Sequence, residues 1–368
     1  MIDAFEWAGP GRVLFGAGAA GRLGELAAEF GHKVLVVTGD SQRGQARAWL
    51  EGPEVECTAL CVRGEPTLAV ADEGAALAKA AGCEWVLAVG GGSVVDAGKA
   101  IAALAANAGE ALDYVEVIGR GCALGREPLP FVAVPTTAGT GAEATRNAVL
   151  GCPEQGVKVS LRHRAMLPRV ALVDPQLSVT VPPPTTATTG MDALTQLLEA
   201  YVCTRANPLT DALCAQGVVL AARSLRRAVE HGGDLAARAD MALAALLSGM
   251  ALANAGLGAV HGFAAPLGGR FGAAHGAVCA ALLPAVWQVN LKAVRERGTA
   301  VQMERFRQAA VWLTGDANAR AEDGAAWLCE LARDLNICGL RSLGAGPDSW
   351  DEVIPLARRA SSMKANPL

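Results

Sequence analysis

Short runs of hydrophobic residues alternate with helix-forming segments along the first half of the chain. The runs are continuous, which is typical of strands buried on both faces of a sheet. Helical segments of about ten residues or more separate most of them, and this spacing predicts right-handed crossovers between parallel strands. Predicted strands lie at 33–38, 54–62, 85–90, 129–134 and 169–173. The pattern therefore predicts an α/β domain with a parallel, Rossmann-like sheet.

Strand signals stop after Val181-Pro-Pro-Pro184, and the rest of the chain has helical periodicity. Predicted helices cover 186–202, 207–230, 235–254, 259–266, 275–290, 304–314, 324–335 and 348–361. Because proline interrupts regular structure, the triple proline predicts a domain boundary. We expect an α/β domain over residues 1–181 and an all-α domain over residues 182–368. Near the N terminus, Gly9-Pro-Gly11 predicts a turn between two short hairpin or edge strands.

The stretch Trp85–Lys99 combines a buried strand, three consecutive glycines and a helix that begins near Ser93. Glycine lets a ligand approach the backbone closely, and the first N–H groups of a helix have no partner within it. Such amides favour an anion such as a pyrophosphate. Gly90, Gly91 and Gly92 therefore predict a phosphate-binding loop, the alternative being a sharp turn without a ligand.

A second glycine motif lies closer to the N terminus. Gly16-Ala-Gly-Ala-Ala-Gly21 has the GxGxxG spacing of a dinucleotide-binding fingerprint, and Asp40 follows after a predicted strand. An acid in that position hydrogen-bonds a ribose hydroxyl in such folds. Because the chain contains 43 glycines, one such match carries little information, and this motif is a rival to the Gly90 loop.

Composition and charge exclude several classes of protein. The 368 residues are 52% hydrophobic and 18% charged, as expected for an ordered globular protein of two domains. The net charge of −4 is spread along the chain, which argues against a nucleic-acid or anionic-membrane partner. Without a signal peptide or an uninterrupted apolar run of about 18 residues, the sequence predicts a cytoplasmic protein. The ten cysteines form no CxxC pair and are interpreted as reduced, buried thiols.

Two of the five histidines, His261 and His275, lie in apolar, glycine-rich surroundings. Asp192 is an acid at the start of an otherwise apolar predicted helix. Because a divalent metal takes imidazoles together with a carboxylate, these three residues are candidate metal ligands. The alternatives are hydrogen-bonded core histidines and an acid stabilised by the helix dipole.

Several motifs together resemble the iron-containing (group III) alcohol dehydrogenase family, which is related to the glycerol dehydrogenases and dehydroquinate synthases. They occur in the same order and at similar spacing: Gly90–Lys99, Pro135–Gly141, Val173–Pro175, Gly190–Ala193, and His261 with His275. The match covers nearly the whole chain. It implies a dehydroquinate synthase-like architecture, with NAD(P) and a divalent metal, Fe²⁺ or Zn²⁺, in a cleft between two domains.

The resemblance also implies roles for particular residues. Asp192, His261 and His275 would hold the metal. The Gly16 motif would only turn the chain. The implied cofactor contacts are Gly90, Gly91, Gly92, Ser93, Asp96, Thr136, Thr137 and Thr140, with Asp40 and Lys158 completing the set.

The chain departs from the family pattern at three places. Gln196 stands where the family usually has a metal-binding histidine, four residues after the ligand aspartate. We expect Gln196 to point at the metal and to contact a water or the substrate there. Ala265 replaces a second common histidine, so the sequence assigns no general acid or base. The chain stops at Leu368, where family members usually continue into a final helix, so a shortened C terminus is one interpretation.

The resemblance predicts hydride transfer between NAD(P) and a small alcohol or aldehyde, in a homodimer or higher homo-oligomer. Two alternatives stay open. A cyclase or lyase like dehydroquinate synthase would use a cationic cluster at Lys158, Arg162 and Arg164, whereas a metal-free relative would bind nucleotide without activity. Cofactor choice depends on the residues after the predicted strand at 33–38, where Gly39 replaces the acid of NAD-preferring relatives. We expect NADP to be tolerated, with Ser41 and Arg43 accepting its phosphate.

Overall fold

The computed structural model describes residues 4–40, 46, 48–50 and 55–368. The chain forms two compact units. An α/β unit comprises Ala8–Thr137 and Ala142–Ser178, and a helical unit comprises Val179–Leu368, the segment Ala138–Gly141 and the N-terminal residues up to Trp7. The boundary between residues 181 and 182 stays a prediction, and Ser41 and Arg43 lie outside the described residues.

Six of the described strands form one parallel sheet in the α/β unit, as the continuous hydrophobic runs predict. In chain order they are β1 (Arg12–Phe15), β2 (Lys33–Thr38), β3 (Glu56–Cys61), β4 (Trp85–Gly90), β5 (Phe131–Pro135) and β8 (Val170–Val173). Across the sheet the order is β1-β8-β5-β4-β2-β3. Its helices are α1 (Leu23–Phe30), α2 (Leu68–Ala80), α3 (Gly92–Ala106) and α4 (Ala111–Tyr114).

Both faces of this sheet are buried along its central strands. Along β2, Val34 and Val36 pack in one hydrophobic cluster with Leu23 of α1. Leu35 and Val37 belong to another cluster, which includes residues of α3. Because side chains alternate across a strand, a strand covered on both sides must be hydrophobic at every position.

Two elements of the α/β unit differ from the sequence-based expectation. β1 is an edge strand parallel to β8, and Phe5–Trp7 forms no strand, so there is no N-terminal hairpin among these residues. An antiparallel pair, β6 (Asn147–Cys152) with β7 (Val157–Arg162), was not predicted. Its turn carries Pro153 and a left-handed Gly156, residues that favour a tight turn. The prediction of a parallel sheet rests on the alternation of strands and helices and does not use this local signal.

The second unit consists of helices, as predicted from the sequence. They are α5 (Pro183–Val202), α6 (Pro208–Glu230), α7 (Leu235–Asn254), α8 (Ala259–Phe271), α9 (His275–Arg297), α10 (Ala300–Thr314), α11 (Ala321–Asp334) and α12 (Trp350–Arg359). Helix α5 begins inside the triple proline, because proline at the first helical position loses no hydrogen bond. Helices α7 and α9 are long and apolar enough to cross a membrane by length and composition, a property they share with core helices of globular proteins.

Candidate metal and nucleotide sites

Asp192 lies in the middle of α5, where its side chain is almost completely buried. The helix begins at Pro183, more than two turns earlier, so the interpretation of Asp192 as an acid at a helix N terminus is wrong. Asp192 Oδ1 accepts no hydrogen bond within the described part of the chain. A buried carboxylate oxygen without a donor is costly, and a cation is the group that would compensate it.

Two imidazole nitrogens lie next to this oxygen. His261 Nε2 is 3.4 Å and His275 Nε2 is 3.7 Å from Asp192 Oδ1. His261 is buried in the first turn of α8, whereas the His275 side chain at the start of α9 remains 38% exposed. The structure thus brings together the three residues that the sequence suggests as ligands.

Cys279 completes the cluster. Its Sγ lies 3.6 Å from His275 Nε2 and 3.9 Å from His261 Nε2. The candidate ligand atoms of Asp192, His261, His275 and Cys279 all lie within 4.8 Å of one another. Carboxylate oxygen, imidazole nitrogen and thiolate sulfur are the donors that zinc and related divalent metals accept. This donor set and the orphaned Asp192 oxygen fit a divalent metal.

Glu199 fixes the orientation of His261. Glu199 Oε2 lies 2.7 Å from His261 Nδ1, and the other carboxylate oxygen accepts the Val260 N–H at 2.7 Å. The carboxylate therefore caps α8, because the N-cap residue, Gly258, has no side chain to do so. A Cβ at Gly258 would lie 2.8 Å from Glu199 Oε1, so a larger residue there would displace this carboxylate. With Nδ1 bound to Glu199, Nε2 is the ring nitrogen that faces Asp192.

The buried charges influence one another strongly. Burial alone would raise the pKa of Asp192, but His275 and His261 hold that pKa below its usual value. Burial alone would lower the pKa of His261, but Cys279, Asp192 and Glu199 raise it well above its usual value. Burial, reinforced by Asp192, raises the pKa of the Cys279 thiol to about 12. Even without a metal, the cluster therefore favours positive charge beside the Asp192 carboxylate.

Gln196 lies one turn after Asp192 on α5. Its Nε2 donates to the carbonyl oxygen of Thr140 at 2.9 Å and to Ser248 Oγ at 3.0 Å. The side-chain nitrogen is thus committed, and a contact between Gln196 and a metal or its substrate stays a prediction. Thr140 belongs to the segment Ala138–Gly141, which packs with the helical unit.

The Gly90 loop lies at the carboxyl end of β4 and leads directly into α3. Within the described residues, the N–H groups of Gly91, Gly92 and Ser93 donate no hydrogen bond, and no side chain caps the helix. A Cβ at Gly90 would lie 2.6 Å from Val94 Cβ, so the tight turn requires glycine there. Free amides at a helix N terminus are suited to bind an anion.

The neighbours of this loop support a nucleotide site. β4 pairs with β2 on one side and β5 on the other, and the chain order reverses between β2 and β4. Ligands of open parallel sheets bind outside the carboxyl ends of the strands at such a reversal. Thr136, whose N–H donates to the Gly90 carbonyl, and Thr137 follow β5, and Asp40 follows β2 at the same edge. Asp40 is exposed and accepts from Cys61 Sγ and Arg63 Nε.

Most amides of the Gly16 motif already have an acceptor within the protein. The N–H groups of Gly18 and Ala20 each donate to the carboxylate of Asp174 at 3.1 Å, and the Gly16 N–H donates to the Val173 carbonyl. A protein carboxylate therefore occupies the place where the fingerprint would bind pyrophosphate.

Two other residues of the predicted cofactor set are engaged within the α/β unit. Asp96 accepts the Val149 N–H at 3.1 Å and lies 3.7 Å from Lys99, and burial raises its pKa to about 6. Lys158 pairs with Glu65 at 3.2 Å. Because Arg162 also has a partner, Glu116, two of the three cations suggested for a cyclase or lyase are partly neutralised.

Sequence reasoning missed Cys279 and Glu199. Both obey helical spacing, since Cys279 follows His275 by four residues and Glu199 follows Asp192 by seven, so each lies on the same helix face as a proposed ligand. The sequence pattern alone favours a reduced, buried thiol for a cysteine without a CxxC partner.

Comparisons with known proteins agree with this architecture. Two protein-family models match the chain. The family model "Iron-containing alcohol dehydrogenase" matches residues 10–175, and the family model "Fe-containing alcohol dehydrogenase family, C-terminal" matches residues 186–368. The probable alcohol dehydrogenase EutG of Salmonella typhimurium is 36% identical over 366 aligned positions, which cover 97% of this chain and 89% of that protein.

Solved structures give the same result. The structure of 1,3-propanediol oxidoreductase has a TM-score of 0.92 at 34% identity, covering 100% of this chain and 96% of that one. Sulfoacetaldehyde reductase from Bifidobacterium kashiwanohense, in complex with NAD⁺, has a TM-score of 0.88 at 28% identity, covering 100% and 95%.

The fold and these matches define an NAD(P)-dependent oxidoreductase that acts on alcohols or aldehydes. The chain belongs to the iron-containing alcohol dehydrogenase family. Members of this family use NAD(P) and a divalent metal.

Proposed function

We propose that this chain transfers a hydride reversibly between NAD(P) and a small alcohol or aldehyde, using a metal held by Asp192, His261 and His275. The orphaned Asp192 oxygen beside two imidazole nitrogens carries this proposal. When bound, the ion supplies Lewis-acid polarisation of the substrate oxygen, and the nicotinamide supplies the hydride chemistry.

Three side chains at the site have separate roles in holding the ion and admitting the substrate. Asp192 supplies the negative charge that keeps a cation in a buried position. Glu199 holds His261 with Nε2 toward that position. His275 is the partly exposed member of the cluster, and its side is therefore where a small substrate can approach from solvent.

We assign the dinucleotide to the carboxyl edge of the parallel sheet. The free amides of Gly91, Gly92 and Ser93 would donate to the pyrophosphate, and Thr136 and Thr137 would flank it. Asp40 would lie near the ribose, one residue later than in NAD-preferring relatives, so NADP is accepted beside NAD. The preference for NAD, measured as a ratio of kcat/KM, should stay below about a hundredfold, roughly 2.7 kcal/mol.

We further propose a cytoplasmic homodimer. None of the ten cysteines, all of which lie within the described residues, forms a disulfide, as suits a reducing compartment. Strand β1 forms an edge of the sheet and carries Phe15, which is 41% exposed. Such edges and apolar residues are common at subunit contacts. Light scattering coupled to size exclusion measures the oligomeric state.

The decisive experiment is an alcohol and aldehyde panel with NAD(H) and NADP(H), after loading with Zn²⁺ or Fe²⁺. Asp192→Asn should lose metal and lower kcat/KM by at least about a hundredfold, the upper end of losses from supporting-shell changes. Asp334→Asn, a surface carboxylate of the same unit paired with Arg226, is the control. Full activity of a metal-free Asp192→Asn protein would refute the proposal.

A further inference from the structure

We propose that Cys279 is a fourth metal ligand, so that one carboxylate, two imidazoles and one thiolate hold the ion, and that this set favours Zn²⁺ over Fe²⁺. The inference rests on the proposed metal-dependent function. It concerns a side chain that the sequence pattern of the family does not mark as a ligand.

The distances within the cluster agree with a tetrahedral site. Zinc bonds of about 2.0–2.1 Å to nitrogen or oxygen and about 2.3 Å to sulfur place neighbouring ligand atoms about 3.4 Å apart, or about 3.6 Å apart when one is sulfur. The Asp192 oxygen lies 3.4 and 3.7 Å from the two imidazole nitrogens. Cys279 Sγ lies 3.6 and 3.9 Å from the same nitrogens. These four contacts match four of the six edges of a tetrahedron, and the other two pairs of ligand atoms lie within 4.8 Å.

The position of Cys279 on its helix explains this geometry. Helix α9 begins at His275, so Cys279 stands one turn further on the same face. Its side chain is fully buried, and its sulfur contacts the two imidazoles. Asp192, a buried acid without a hydrogen bond at Oδ1, points into the same place and independently indicates a cation.

Gln196 does not compete for this position through its nitrogen. Its amide is held by the Thr140 carbonyl and by Ser248 Oγ. A neutral amide oxygen is also a weaker ligand for Zn²⁺ than a thiolate. The sulfur of Cys279 is therefore the better fourth donor.

Thiolate coordination has a consequence for metal choice. Coordination forms a metal–sulfur bond and releases the thiol proton to solvent, with no change of oxidation state. Soft sulfur ligands favour Zn²⁺, and Zn²⁺ also binds a given protein site more tightly than Fe²⁺ in the general order of affinity. Replacing the sulfur with oxygen should reduce the ratio of the Zn²⁺ affinity to the Fe²⁺ affinity.

Cobalt substitution tests the assignment directly. Full-length apoprotein is loaded with Co²⁺ alone, and its absorption is recorded for the wild type, Cys279→Ser, Cys279→Ala and Cys214→Ala. Cys214, a fully buried helical cysteine of the same unit outside the cluster, provides the matched control. Circular dichroism of each apoprotein verifies folding, and the serine variant keeps the side-chain volume if alanine disturbs packing.

We expect a sulfur-to-cobalt charge-transfer band in the wild type and in Cys214→Ala, and none in the two Cys279 variants. The Zn²⁺ dissociation constant should rise at least about tenfold in Cys279→Ser, with a smaller Zn²⁺ to Fe²⁺ affinity ratio. Bound Co²⁺ without this band, or a band that persists in Cys279→Ala, would overturn the sulfur ligand and leave the proposed function standing. A wild type that binds no Co²⁺ or Zn²⁺ would overturn both.

Discussion

Glu199 Oε2 lies 2.7 Å from His261 Nδ1, and both side chains are buried. The carboxylate oxygen accepts a hydrogen bond from this ring nitrogen. This pairing determines which ring nitrogen remains to bind a cation. Residues that hydrogen-bond a metal ligand contribute measurably to metal affinity, although they do not contact the ion themselves.

Glu199→Gln should weaken Zn²⁺ binding by about 10 to 100-fold, because the amide no longer supplies two acceptor oxygens to α8 and His261. Competition with a chromophoric chelator measures the dissociation constant. The control is Glu230→Gln, an exposed residue at the end of α6. Identical affinities in the two variants would mean that Glu199 only caps the helix.

Gly91→Val should raise the NAD(P) dissociation constant at least about tenfold, because a side chain would stand over the free amides at the start of α3. The fold should survive, since a Cβ at Gly91 meets Thr137 only at 3.6 Å. Gly21→Val is the control in the rival motif, where a Cβ meets nothing within 4 Å. Calorimetric titration that showed loss of binding only in Gly21→Val would assign the dinucleotide to the Gly16 motif instead.

Gln196→His should tighten Zn²⁺ binding more in a Cys279→Ala background than in the wild type. An imidazole at residue 196 lies one turn from Asp192 and would fill the position that the sulfur leaves. Chelator competition on all four proteins of this cycle gives the coupling. Gln216→His, an exposed change on α6, controls for added surface histidine. Equal gains in both backgrounds would show that the two side chains do not share one coordination position.

Glu143→Gln should remove a pH dependence of stability. Burial raises the pKa of Glu143 to about 7, above its usual 4.5, so the folded state holds this proton more tightly than the unfolded chain. The free energy of unfolding should therefore fall as pH rises from about 4.5 to about 7, by at most roughly 3.4 kcal/mol.

Urea unfolding at pH 5 and pH 8 measures this difference. The Glu143→Gln protein should keep only the slope of other buried acids, such as Asp96 between about pH 4 and its raised pKa of about 6. Glu127→Gln, an exposed change in the same unit, should behave like the wild type. A wild type whose stability does not fall between these pH values would show that Glu143 is ionised at little cost.

Sequence patterns predicted the elements that follow one strong periodicity. The parallel sheet was predictable because strands buried on both faces must be continuously hydrophobic, as β2 and β4 are. His261 and His275 were recognisable because imidazoles in apolar, glycine-rich segments need a partner. Cys279 was missed because a buried cysteine is ordinarily a small hydrophobic residue, and only the fold brings it beside Asp192.

Other features depend on contacts between distant parts of the chain. The Gly16 motif has the GxGxxG spacing of a dinucleotide-binding fingerprint. However, Asp174, which is far along the sequence, accepts hydrogen bonds from two of its amides. Glu199 could be placed on the face of Asp192 by spacing, yet its role as the cap of α8 requires the approach of Gly258. Local sequence carries no information on such partners.

The buried Asp192 oxygen couples folding to metal supply. An ion that binds only the folded chain adds about 2.7 kcal/mol of stability when its free concentration is 100 times the dissociation constant. Newly made chains that lack the ion would open more often and meet proteases in the open state. The cellular abundance of this protein should therefore follow metal availability after translation, and a membrane-permeant chelator should shorten its half-life while leaving that of Asp192→Asn unchanged.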